Sequence, residues 1–115
     1  MAKKTPTLRE KRIIFWDENT GNKIVELDIT NARDHQTFVE ILQTYKSFRF
    51  ITENGFRCTV VKEMRPSFGD KENKKPVWYA HKRQNNKLRR KYIGKAENVT
   101  YQKLKAVALE LERLS

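Results

Sequence analysis

The sequence predicts an α+β fold in which antiparallel hairpins are each followed by a helix, in the order β-β-α-β-β-β-α. Three observations carry that expectation. Short β-branched and aromatic runs recur between turn-forming pairs, as at Asn54-Gly55 and Asn85-Asn86. Two longer stretches, after Asn31 and after Thr100, repeat apolar residues at helical spacing. Aromatics make up 10% of the 115 residues, with only 4 Gly and 3 Pro, a composition too rich in core-forming residues for a disordered chain.

Residues 1–11 are polar and basic around Pro6 and read as a flexible arm. Arg12–Asp17 (RIIFWD) and Lys23–Ile29 (KIVELDI) form a first hairpin, and Gly21 in its turn is free to adopt positive φ. Val25, Leu27 and Ile29 share one face of the second strand, with Glu26 and Asp28 on the other. A helix opens at Asn31 or Asp34, either of which makes a good cap. Its stripe is Phe38, Ile41, Leu42, Tyr45 and Phe48, and His35 on the same stripe reads as a packing residue rather than a base or ligand. Residues 12–55 are therefore expected to form a hairpin-plus-helix lobe.

The second half, residues 56–115, is expected to be a basic three-stranded antiparallel sheet packed on one C-terminal helix. Phe56–Met64 supplies the first strand, with Cys58 as a small core residue. Arg49–Thr52, just before the Asn54-Gly55 turn, is either a strand paired with it or the end of the first helix. Pro66–Pro76 is polar, charged and bracketed by prolines, and reads as a mobile loop. Val77–Gln84 and Lys87–Lys95 follow as a hairpin about Asn85-Asn86, since Asn tolerates the left-handed backbone of a two-residue turn. Thr100 caps a closing helix whose apolar stripe is Tyr101, Leu104, Val107, Ala108, Leu111 and Leu114.

Charge points to a function class. The chain carries 25 Lys+Arg against 14 Asp+Glu, a formal charge of +11. Residues 71–95 hold ten basic side chains and one acid, Glu72, so nearly the whole excess lies in one 25-residue window. Charge kept for solubility could be spread anywhere; charge this concentrated suggests a polyanion-binding surface.

With the turn at Asn85-Asn86, Trp78, Ala80, Lys82 and Gln84 share one side of the hairpin with Lys87, Arg89, Lys91 and Ile93. The other side holds Val77, Tyr79, His81, Arg83, Leu88, Arg90, Tyr92 and Gly94. That second side is expected to pack on the helix through Val77, Tyr79, Leu88 and Tyr92, exposing Lys82, Lys87, Arg89 and Lys91 together. Like charges facing each other across strands are destabilising, and a bound polyanion relieves them. The candidate nucleic-acid contacts are Lys82, Arg83, Gln84, Asn86, Lys87, Arg89, Arg90, Lys91 and Lys95. Both asparagines are first of all turn residues. Trp78 is either a core anchor or an exposed platform for stacking on a base.

Trp78-Tyr79-Ala80 on the middle strand, the Lys87–Lys91 cluster on the third and Gly94 before the helix carry a resemblance. On these residues the C-terminal half resembles the DNA-binding domains of APETALA-type plant transcription factors and the arm-binding domains of phage-type integrases. The same segment is similar to stretches of small bacterial mobile-element and regulator proteins. The resemblance implies that the sheet, rather than the helix, enters the major groove of duplex DNA.

Other classes lack their residues. One cysteine and two histidines leave no metal-ligand set, and no phosphate loop of the G-x-x-x-x-G-K-[ST] type is present. No nucleophile is accompanied by a base and an orienting group, so neither an enzyme nor a bound cofactor is expected. No apolar run approaches the roughly 20 residues of a membrane helix. The start MAKKTPT is unlike a secretory signal, and the lone cysteine suits a reducing compartment, so a cytoplasmic location is expected. The expected function is that of a small nucleic-acid-binding protein, with duplex DNA favoured, acting as a regulator or mobile-element accessory factor. RNA bound by the same surface, or an acidic protein docked by an adaptor or inhibitor, shares the same electrostatics.

Overall fold

A computed structural model describes residues 5–17, 19–67 and 70–113. The strands are β1 (Thr7–Arg9), β2 (Arg12–Trp16), β3 (Lys23–Asp28), β4 (Ser47–Ile51), β5 (Arg57–Ser67), β6 (Asp70–Gln84) and β7 (Lys87–Gly94). Helix α1 (Ala32–Leu42) joins β3 to β4, and a 3-10 turn at Ala96–Asn98 leads from β7 into α2 (Tyr101–Arg113). All seven strands form one sheet in the order β3-β2-β1-β4-β5-β6-β7. The sheet is mixed, because β1 runs parallel to β4 while every other neighbouring pair is antiparallel.

Alternation along the strands assigns the two faces. Ile13 and Phe15, Phe48 and Phe50, Cys58 and Val60, and Trp78 and Ala80 turn to one side, where α1 and α2 cover them. Phe38 and Leu42 come down from α1, and Leu104, Val107, Ala108 and Leu111 from α2. Rings run through the middle of this core: Phe38 meets Phe48 edge-on at 5.7 Å, and Phe48 meets Trp78 at 5.8 Å. Among the described residues no helix covers the opposite face, an arrangement that antiparallel sheets tolerate when that face carries polar side chains.

The hairpins about residues 17–22 and 85–86 and both helices appear where the sequence places them. Asn31, rather than Asp34, caps α1, accepting from the backbone N–H groups of Arg33 and Asp34. The Asp34 carboxylate accepts from the Asp28 N–H instead. Thr100 accepts from the Lys103 N–H at the start of α2. His35 is a packing residue whose Nε2 lies 3.0 Å from the Val99 carbonyl. Leu114 lies outside the described residues.

Several expectations are corrected. The helical stripe does not extend to Tyr45 and Phe48: α1 ends at Leu42, Tyr45 packs on Phe15 at 5.2 Å, and Phe48 belongs to β4. Arg49–Thr52 is thus not a helix end, because Phe48 and Phe50 alternate with Arg49 and Ile51 at a strand's period. Residues 5–11 are not a flexible arm. Leu8 is fully buried, and β1 sits in the interior of the sheet between β2 and β4. The expected three-stranded C-terminal sheet is instead part of the seven-stranded one, since β4 pairs with β5 over five residues.

Pro66–Pro76 is not a loop over its described residues. The β5–β6 pairing continues to Ser67 opposite Asp70. On the flanks, β4 pairs only as far as Val61 and β7 only as far as Trp78. Beyond those points β5 and β6 form a two-stranded ribbon whose outer edges have no strand neighbour among the described residues. A proline, which lacks an N–H, is acceptable at such an edge, and this explains two prolines inside strands. Among the described residues no helix is long and apolar enough to cross a membrane.

Candidate functional site

The β6–β7 hairpin closes as its sequence requires. Asn85 and Asn86 both have positive φ, 51° and 65°, the two left-handed positions of a type I′ turn. Gln84 pairs with Lys87, Lys82 with Arg89, and Ala80 with Lys91, in the expected register. A bulge at Trp78/Tyr79 then sets Trp78 opposite Gly94 rather than Ile93.

The faces are the reverse of the expected ones. Trp78, Ala80 and Ile93 turn inward beneath the helices, while Leu88 and Tyr92 are 48% and 55% exposed on the bare face. Both sides of this hairpin carry apolar residues, so local pattern alone does not choose between them. The choice is made by β4 and β5, whose Phe48, Phe50 and Val60 continue the inner face that Trp78 joins. With no exposed surface at all, Trp78 is the core anchor and offers no stacking platform.

Toward its tip the hairpin is cationic on both faces. On the inner side, Lys82 lies 5.6 Å from the centre of the Phe56 ring, and Lys91 pairs with Glu110 of α2 at 3.3 Å. Arg89 is half-buried beside them and Lys87 exposed at the turn. On the bare side Arg83 and Arg90 are exposed; Arg90 pairs with Glu63 and stacks 4.4 Å above the Tyr79 ring. Gln84 and Asn86 lie at the turn. Lys95 does not join this cluster: it follows β7 at the far end of the hairpin, beside Lys75 and Glu97.

A second cationic surface went unread in the sequence. On the bare face, Arg9 of β1, Arg49 of β4 and Arg57 of β5 approach Arg83 of β6 around a hollow of about 740 Å3. Arg49 pairs across to Thr59, and Thr59 to His81, so these residues share one rung of the sheet. Arg9 pairs with Ile51, and Ile51 with Arg57, on the next rung. Lys82 also lines the hollow, and no carboxylate does. The available signal was strand alternation: Arg49 lies between Phe48 and Phe50, and Arg57 precedes the inward Cys58. Reading residues 5–11 as an arm concealed Arg9.

Two titratable groups report on these surroundings. Burial, then the neighbouring Arg90 and Arg83, hold His81 below the usual histidine range, with Glu63 opposing. Burial pushes the Cys58 thiol up to about 11, which Lys82 only partly offsets, so the sulfur stays protonated and unreactive at neutral pH.

No curated protein and no solved structure matches the chain. The family described as "Domain of unknown function (DUF6788)" matches residues 35–103, a span that runs from α1 through β7 into α2 and includes Arg49, Arg57, Arg83 and Arg90. With well over half its length matched, the chain belongs to the DUF6788 family.

Proposed function

We propose that the protein binds duplex DNA through the β6–β7 hairpin, in the manner of a regulator or mobile-element accessory factor. One observation carries the reading: cations surround the hairpin tip on both faces, with Lys82, Lys87 and Arg89 toward one side and Arg83 and Arg90 toward the other. A ribbon charged on one face suits a flat anionic surface. One charged on both faces suits a groove with a phosphate wall on each side, and the major groove of B-DNA, about 12 Å wide, admits a two-stranded ribbon. The major groove of duplex RNA is too narrow and deep for such a ribbon, so DNA is favoured over RNA.

Fluorescence anisotropy with a labelled DNA duplex, titrated across salt concentrations, tests this. Neutralising about five phosphates gives a log–log salt slope of about −4 to −5. Lys87→Ala/Arg89→Ala is expected to reduce that slope by about 2 and to weaken binding at least tenfold at low salt. A slope near zero, an unchanged slope in the variant, or equal affinity for duplex RNA would overturn the proposal.

A further inference from the structure

The hollow on the bare face calls for its own account, because the hairpin tip does not explain it. Lys87 and Arg89 take no part in its lining, and Arg9 and Arg49 come from strands that do not pair with the hairpin. Its arginines are set close together. Ile51 has Arg9 on one side and Arg57 on the other, while Arg49 is two residues away along the same strand. Arg83, two residues past the Thr59–His81 pair, comes level with Arg57. Strand neighbours are about 4.8 Å apart and successive same-face residues about 7 Å apart, so four guanidinium groups converge on an area only a few strands wide. Among the described residues none of Arg9, Arg49, Arg57 and Arg83 has a carboxylate within ion-pair distance. Like charges placed this way destabilise a sheet, and an anionic ligand removes that penalty.

The size and the remaining lining narrow the class of anion. A lone phosphate group would fill a small part of 740 Å3, a volume typical of sites for drug-sized ligands, which span about 300–1,000 Å3. Ile51 and Leu88 supply apolar surface, Thr59 a hydroxyl, and His81 a flat half-buried ring. Guanidinium forks grip phosphate oxygens in pairs, while the apolar and planar groups suit a nucleobase.

We infer that the hollow bounded by Arg9, Arg49, Arg57 and Arg83 is a nucleotide-binding site, which seats a phosphate ester together with its base. The ligand is either a stretch of unpaired strand or a free nucleotide, because both present the same chemistry. This does not depend on the hairpin reading.

The test uses the full chain and 3′-fluorescein-labelled tetrathymidylate at low ionic strength, read by anisotropy. Saturable binding is expected, weakened at least tenfold in Arg49→Gln/Arg57→Gln and within twofold of wild type in Lys87→Ala/Arg89→Ala. Both arginines of the first variant are exposed and lie in a cluster of like charge, so its thermal midpoint is expected to be no lower than that of wild type. Stronger competition by unlabelled tetrathymidylate than by a nucleoside triphosphate identifies a strand as the ligand; the reverse order identifies a free nucleotide. Absence of saturable binding overturns the inference, as does unchanged binding in Arg49→Gln/Arg57→Gln. Competition by inorganic tripolyphosphate equal to that of both nucleotide ligands also overturns it, reducing the hollow to a general anion patch. Failure of the hairpin reading would appear separately, as wild-type protein that binds tetrathymidylate but no duplex, or as duplex binding unchanged in Lys87→Ala/Arg89→Ala.

Discussion

His81 shares a rung with Arg49 and Arg90, and its proton is held under the influence of burial and of Arg90. Its folded-state pKa is lowered by burial and by Arg90 and Arg83, so the unfolded chain binds the proton more readily. Stability is therefore fully present above the ordinary histidine pKa of about 6.5 and declines as pH falls below it. Urea melts at pH 7.5 and 5.5 are expected to show that decline in wild type and a smaller one in His81→Gln. A phosphate beside the ring acts in the opposite sense and favours the imidazolium. Nucleic-acid affinity is thus expected to rise from pH 8 to pH 6, and to rise less in His81→Gln when followed by anisotropy. Trp78 makes a different case. Its Nε1 is buried without a hydrogen-bond partner, so Trp78→Phe removes an unsatisfied donor at the same time as it removes volume. A net loss of no more than about 2 kcal/mol is expected for Trp78→Phe, against about 3–5 kcal/mol for Trp78→Ala, both read from denaturant midpoints.

Among the elements, β1 has the largest structural role for its size. Three residues connect the β2–β3 hairpin to the rest of the sheet, with Leu8 between Ile13 on one side and Phe50 on the other. Leu8→Asp is expected to abolish the cooperative thermal transition followed by circular dichroism, whereas a loose arm would leave it unchanged. The sequence could not disclose this strand. Three residues are too few to show a period, and the residues that pair with it on the β4 side lie about 42 positions away. Features fixed by neighbouring residues were legible: the Asn85-Asn86 turn, the α2 stripe and the Asn31 cap. The ribbon at 62–76 was not, because proline reads as a strand breaker unless the adjoining edge is known to be unpaired. The candidate site divides along the same line. Lys82, Arg83, Lys87 and Arg89 are close enough in sequence to be grouped from it; Arg9, Arg49 and Arg57 meet only through sheet order. The orientation of the hairpin depended on β4 and β5, which lie outside it.

At the scale of the whole molecule, helices cover one face of the sheet and arginine and threonine occupy much of the other. Away from the hairpin tip, charge and core thereby lie on opposite sides of a single layer. Neutral substitutions at Arg49 or Arg57 are accordingly expected to weaken binding without lowering stability, and substitutions at Phe48 or Val60 to lower stability first. The parallel β1–β4 contact also bears on how the chain is made. β1 is synthesised before β4, the strand it must lie parallel to, which comes some forty residues later, after β2, β3 and a helix. Hairpins form in microseconds, but closing so long a loop costs entropy before any pairing rewards it. Until β4 clears the ribosome, Leu8, Ile13 and Phe15 have no finished core to enter, and the nascent first half is the stage at which this protein is most open to misassociation.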